Sequence, residues 1–96
     1  MKIALDYDDT FTRDPFLWQM FIETAILRGH SVYIVTWRTF EECADIDSDT
    51  IKNIVVLPTF RQAKKEFCKK EYGIDFDIWI DDNPAAILYS MIPSTT

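Results

Sequence analysis

The chain has 96 residues, 48% of them hydrophobic, with a net charge of −6 and a pI of about 4.5. That length holds one domain around one core, and the apolar content excludes a disordered chain. The acidic balance argues against nonspecific binding to nucleic-acid backbones, and Cys43 and Cys68 have no zinc-type spacing and suggest ordinary thiols rather than a disulfide framework.

Lys2 to Leu5 is a short apolar run that stops at Asp6, which predicts a buried strand. The same early acid reads against a signal peptide, and no apolar run approaches membrane-spanning length, so the expected location is cytoplasmic. Asp14-Pro15 predicts a helix start, with Asp14 as N-cap and Pro15 in the first turn. Leu17, Met20, Phe21, Thr24, Ala25 and Leu27 follow near helical spacing, and Gly29 suits the stop. Val32 to Val35 is β-rich and ends at Thr36. A second helix is expected from Glu41 to about Thr50, and a third strand from Asn53 to Leu57, stopped by Pro58. Thr59 is the expected cap of a helix through Ala63, Phe67 and Cys68 to Tyr72, closed by Gly73. Phe76 to Ile80 is the fourth strand and ends in Asp81-Asp82; Asn83-Pro84 then opens a short helix through Ile87 and Leu88.

The alternation of strands and helices predicts an α/β fold: one three-layer, Rossmann-like domain over 1–96, with a parallel sheet of four or five strands and no cap domain. A fifth strand would have to come from Tyr89 to Ile92, and 90–96 reads as a fraying tail. The first, second and fourth strands end in polar residues at the edge where open α/β sheets bind ligands.

Four groups on that edge carry the chemistry. Asp6-Tyr7-Asp8-Asp9-Thr10 crowds three acids into four residues, which repel one another unless a cation joins them. A hard ion such as Mg²⁺ suits carboxylate and carbonyl oxygen. Asp81-Asp82 would emerge beside Asp6, with at least one of the pair a metal ligand and Asn83 the cap of the following helix. Thr36 offers a hydroxyl to a phosphate oxygen, and Arg38 offers a two-pronged contact. Lys64 or Lys65 could reach the acidic edge, although with Lys69 and Lys70 they also fit a solvated basic face. Trp79 should turn into the core or against a helix, Trp37 flanks the site, and His30 reads as an exposed loop residue.

Taken together, Asp6-x-Asp8-x-Thr10, Thr36, Lys64 (or Lys65) and Asp81-Asp82 resemble the haloacid dehalogenase superfamily of phosphohydrolases, specifically its small members without a cap. The resemblance runs from Ile3 to about Leu88. It implies a Mg²⁺-dependent phosphatase acting on a phosphomonoester through an aspartyl phosphate, with Asp6 as nucleophile and Asp8 as acid and base. It implies Mg²⁺ on the Asp6 carboxylate, the Asp8 carbonyl and Asp81 or Asp82, with Thr36 and Lys64 stabilising phosphoryl oxygens and Thr10 and Arg38 near the substrate. Position 9 is commonly Gly in that family and is Asp9 here; it can add charge to the metal site or only reshape the turn. The segment from Thr10 to Asp14 leaves room for only a minimal flap. An open site suits a small phosphorylated substrate such as a nucleotide, and a nucleic-acid end less well. Two other classes compete: a phosphate-accepting module resembling a receiver, which would need an acid after the third strand where this chain has Val55-Val56-Leu57-Pro58, and a non-catalytic metal- or phosphate-binding domain.

Overall fold

Side chains alternate across a strand, and the first strand uses both faces. In the computed structural model, which describes residues 1–46 and 54–91, β1 (Lys2–Leu5) sends Ile3 and Leu5 to one side of the sheet and Ala4 to the other. Strand β2 (Ser31–Thr36) repeats the pattern, with Val32 and Ile34 on one face and Val35 on the other. Helix α1 (Pro15–Leu27) covers the first face through Ile22 and Ala25, with Trp18 and Phe21 at its margin. The second face packs Ala4, Val35, Leu57, Cys68 and Phe76 together. Burying each large aliphatic side chain here contributes roughly 1.5–3 kcal/mol. The result is the three-layer α/β arrangement expected of the sequence.

The sheet has four strands, all parallel, in the order β3-β2-β1-β4, with β3 at Val55–Pro58 and β4 at Ile78–Ile80. The chain winds outward from β1 to β2 and β3, then crosses back to place β4 on the far side of β1. The winding direction therefore reverses between β1 and β4, where ligands of such sheets bind. No strand forms over Tyr89–Met91 among the described residues.

Several local expectations change. Helix α1 begins and ends as expected: Asp14 Oδ1 accepts the Leu17 N–H at 3.2 Å, and Gly29 takes φ +85°. Its core face differs, because apolar residues lie all around it. Leu17, Met20 and Leu27 are exposed, along with Phe16. The expected second helix reduces, among the described residues, to one 3₁₀ turn at Glu41–Cys43 followed by a non-helical turn over 44–46; 47–50 and Asn53 lie outside the described residues. Thr59 does not cap a helix. It is fully buried, and its N–H donates to the Thr36 carbonyl at 2.8 Å. Helix α2 starts later, at Lys64–Phe67 with Ala63 at its cap, and widens into a π turn at Cys68–Tyr72 before Gly73 closes it at φ +67°. Asn83 likewise gives no side-chain cap to the short helix α3 (Ala85–Leu88), whose cap position is Pro84. Trp79 packs against the second core, 5.0 Å from the Phe76 ring, and His30 is half-buried with Nδ1 2.8 Å from the Met1 amine. No helix of the described residues is long and apolar enough to cross a membrane.

Candidate active site

Asp6 continues the β1 ladder by one residue. Its N–H donates to the Ile80 carbonyl at 2.9 Å, which fixes Asp6 beside the end of β4. The following turn is pinned by buried Phe11, whose ring stacks on Tyr7 and whose N–H returns to the Asp6 carbonyl. Asp9 sits in that turn at φ +62°, a left-handed conformation that Asp tolerates better than most residues and Gly better still. Its N–H donates to Thr12 Oγ1 at 2.9 Å. Position 9 is thus a residue with a demanding backbone.

Three carboxylates converge at the reversal point. Oxygens of Asp6, Asp81 and Asp82 lie within 4.8 Å of one another. The buried Lys64 ammonium donates to Asp6 Oδ1 at 2.8 Å and to Asp81 Oδ2 at 2.6 Å. Thr10 Oγ1 lies 3.0 Å from Asp6 Oδ2 and 2.9 Å from Asp82 Oδ1, and it accepts the Asp82 N–H. Asp81 Oδ1 accepts the Asn83 N–H at 3.0 Å. Burial pushes the Asp6 carboxyl up to about 7 against the pull of Lys64, with Asp82 and Asp81 adding to the rise. Asp82 moves the other way, held low first by its hydrogen bond with Asp6 and further by Thr10.

The lysine is delivered by an unusual loop. Thr59, Phe60 and Arg61 donate their N–H groups to the carbonyls of Thr36, Arg38 and Trp37, zipping the loop after β3 to the loop after β2. Phe60 and Arg61 both take positive φ, +56° and +62°, a costly backbone for side chains of their size. The bend lets α2 begin at Lys64, so Lys64 points inward and Lys65 is exposed.

A cleft of about 220 Å³ opens onto Asp6, Asp8, Thr36, Lys64, Asp81 and Asp82, with Asp9, Trp37, Asn83 and Ala86 completing its wall. Thr36 is buried at its floor. The sequence-predicted residues are therefore brought together, with two qualifications of role. Thr10 is engaged between carboxylates rather than lining the cleft. Arg38 grips Asp8: Nε donates to Oδ2 at 2.9 Å and Nη2 to Oδ1 at 2.7 Å. Asp8 hydrogen bonding raises the Arg38 guanidinium further above its ordinary range.

A second cleft of about 540 Å³ shares Asp8 and Trp37 with the first and adds Arg38, Glu42, Asp45, Arg61 and Met91. Arg61 and Glu42 form a two-pronged pair at 2.9 and 2.8 Å that holds the Glu42 carboxyl down at about 2. Neither Glu42, Asp45, Arg61 nor Met91 was expected at the site, since nothing local in their segments marks them. Trp37 Nε1 donates to the Gln62 carbonyl, so the indole is fixed as the wall common to both clefts.

The donor set suits a hard divalent cation: it is all carboxylate oxygen, and each carboxylate keeps lone pairs beyond those used by Lys64 and Thr10. Comparison with family models, with curated proteins and with solved structures finds no match for this chain.

Proposed function

We propose that this protein is a phosphomonoester phosphatase of the capless haloacid dehalogenase type, dependent on Mg²⁺ and acting through an aspartyl phosphate on Asp6. The observation that carries this reading is the buried Asp6 carboxylate at the strand-order reversal, bonded to the Lys64 ammonium and set against Asp81 and Asp82. A nucleophilic carboxylate needs fixed orientation and a nearby positive charge to meet a phosphoryl group, and Lys64 and Thr10 supply both.

In the first step an Asp6 oxygen attacks phosphorus and the bond to the leaving oxygen breaks, with Asp8 giving that oxygen a proton. In the second, water attacks the aspartyl phosphate, Asp8 takes its proton, and the Asp6–phosphorus link breaks to release phosphate. Lys64 and the Thr36 hydroxyl stabilise phosphoryl oxygens. Asp6, Asp81 and Asp82 would hold Mg²⁺, which when bound supplies Lewis-acid polarisation and charge screening. The 220 Å³ cleft suits a phosphoryl group, and the open flank favours a small phosphorylated molecule such as a nucleotide. The test is hydrolysis of p-nitrophenyl phosphate with Mg²⁺ or with chelator. Turnover that needs Mg²⁺ and disappears in Asp6→Asn supports the proposal; turnover indifferent to either sinks it.

A further inference from the structure

Arg38 is built into the protein rather than left open to solvent. Its guanidinium makes four hydrogen bonds: two to the Asp8 carboxylate, one from Nη1 to the Glu42 carbonyl at 2.7 Å, and one from Nη1 to Asp45 Oδ1 at 2.9 Å. It also lies over the Tyr7 ring, 5.1 Å from the centroid. An arginine has five N–H groups in a planar fork, so little donor capacity remains for a ligand. Its backbone is held as well, with N–H donating to Thr36 Oγ1 at 3.2 Å and the carbonyl accepting from Phe60. The fork therefore connects the loop after β2 to one carboxylate in the turn after β1, and that carboxylate faces both clefts.

We infer that Arg38 is a positioning residue for Asp8 and not an anchor for the substrate phosphate. The inference rests on the phosphatase reading above. A half-exposed Asp on a turn has two free χ angles, and a fork–fork contact to both oxygens removes that freedom. Each Asp8 oxygen accepts one N–H from Arg38 and keeps a lone pair that can face the cleft. Misplacement of a reacting group by about 1 Å costs on the order of 10²-fold in rate. Loss of Arg38 should thus slow chemistry while leaving phosphate binding intact.

The experiment compares wild type, Arg38→Met, Arg38→Lys, Asp8→Asn and the double variant Asp8→Asn/Arg38→Met, each checked for folding by thermal unfolding. Readouts are kcat on an alkyl phosphate with Mg²⁺ and the inhibition constant of inorganic phosphate. The expected result is a loss in kcat of roughly 10²-fold in Arg38→Met, with the phosphate inhibition constant unchanged within about twofold. Arg38→Lys keeps the charge but not the fork, so it should be nearly as slow. The double variant should be no slower than Asp8→Asn, because Arg38 acts only through Asp8. A rise of about tenfold or more in the phosphate inhibition constant, rescue by lysine, or a further loss in the Asp8→Asn background would each overturn the inference while leaving the phosphatase reading standing. A wild-type protein without Mg²⁺-dependent turnover would remove both. If Arg38→Met does not fold, Arg38→Lys carries the test, since it retains the aliphatic stem over Tyr7.

Discussion

The raised Asp6 carboxyl makes a stability prediction that does not depend on any substrate. Its value is 3.8 when unperturbed and about 7 in the folded protein, with burial the largest cause. A group raised on folding contributes stability that is fully present below the unfolded value and is lost as pH climbs through the folded one. At about 1.4 kcal/mol per pH unit, the ceiling on the loss is roughly 4 kcal/mol between pH 4 and pH 8. Asp82 works with the opposite sign, but its contribution changes below the ordinary carboxylate range and is complete before Asp6 titrates. Urea denaturation of wild type and Asp6→Asn in chelator, from pH 5 to pH 8, isolates the effect. The wild type should lose about 2–3 kcal/mol relative to Asp6→Asn across that window. A cation competes with the proton for Asp6, so Mg²⁺ at ten times its Kd should return about 1.4 kcal/mol to the wild type at pH 8 and little at pH 5. A difference curve that is flat, or that rises with pH, refutes the claim that burial prevails over Lys64 at this carboxylate.

Three further outcomes follow from the geometry. Lys64→Met leaves Asp6 and Asp81 buried without their cation, and in metal-free denaturation should cost about 3–5 kcal/mol, whereas the exposed Lys65→Met should stay within about 0.5 kcal/mol. Thr10→Val removes a hydroxyl that serves Asp6, Asp82 and the Asp82 N–H together, and the same assay should register a loss of about 1–3 kcal/mol. At φ +62°, Asp9→Val should destabilise by about 1–2 kcal/mol in thermal unfolding, while Asp9→Gly should be close to neutral and leave Mg²⁺ affinity unchanged, because the Asp9 carboxylate is not in the cation cluster.

Strand ends were the legible part of this chain because polarity changes there within one residue. Leu5 to Asp6 and Ile80 to Asp81 each mark the sheet edge, and parallel pairing of β1 with β4 follows from alternation with helices. The bounds of α1 were legible because Asp14-Pro15 and Gly29 act locally. Its core face was not, since apolar side chains surround it and period alone selects no side. Thr59 looks like a cap in isolation, yet tertiary hydrogen bonding to Thr36 claims its hydroxyl and its N–H. The choice between Lys64 and Lys65 turned on where α2 begins, and that start is fixed by two positive-φ residues with no glycine to announce them. Arg38 reads as a free cation along the chain because its partner Asp8 lies 30 residues away.

The site's charge balance explains why these separate features belong together. With all three converging carboxylates ionised, Lys64 offsets only one of them. The metal-free protein relieves the excess by raising the buried Asp6, and by placing its proton within reach of Thr10 and Asp82. A carboxylic acid in that state is a poor nucleophile, and a second positive charge beside Lys64 would extend its ionised form to lower pH. Binding a divalent cation to Asp6, Asp81 and Asp82 would therefore do more than orient a substrate: on the proposed phosphatase reading it would also favour the ionised form of the nucleophile. Proton release on Mg²⁺ addition, measured in weakly buffered solution, should be largest near pH 7 or below and absent in Asp6→Asn. Equal release from both proteins would mean that the cation, if bound, leaves Asp6 untouched.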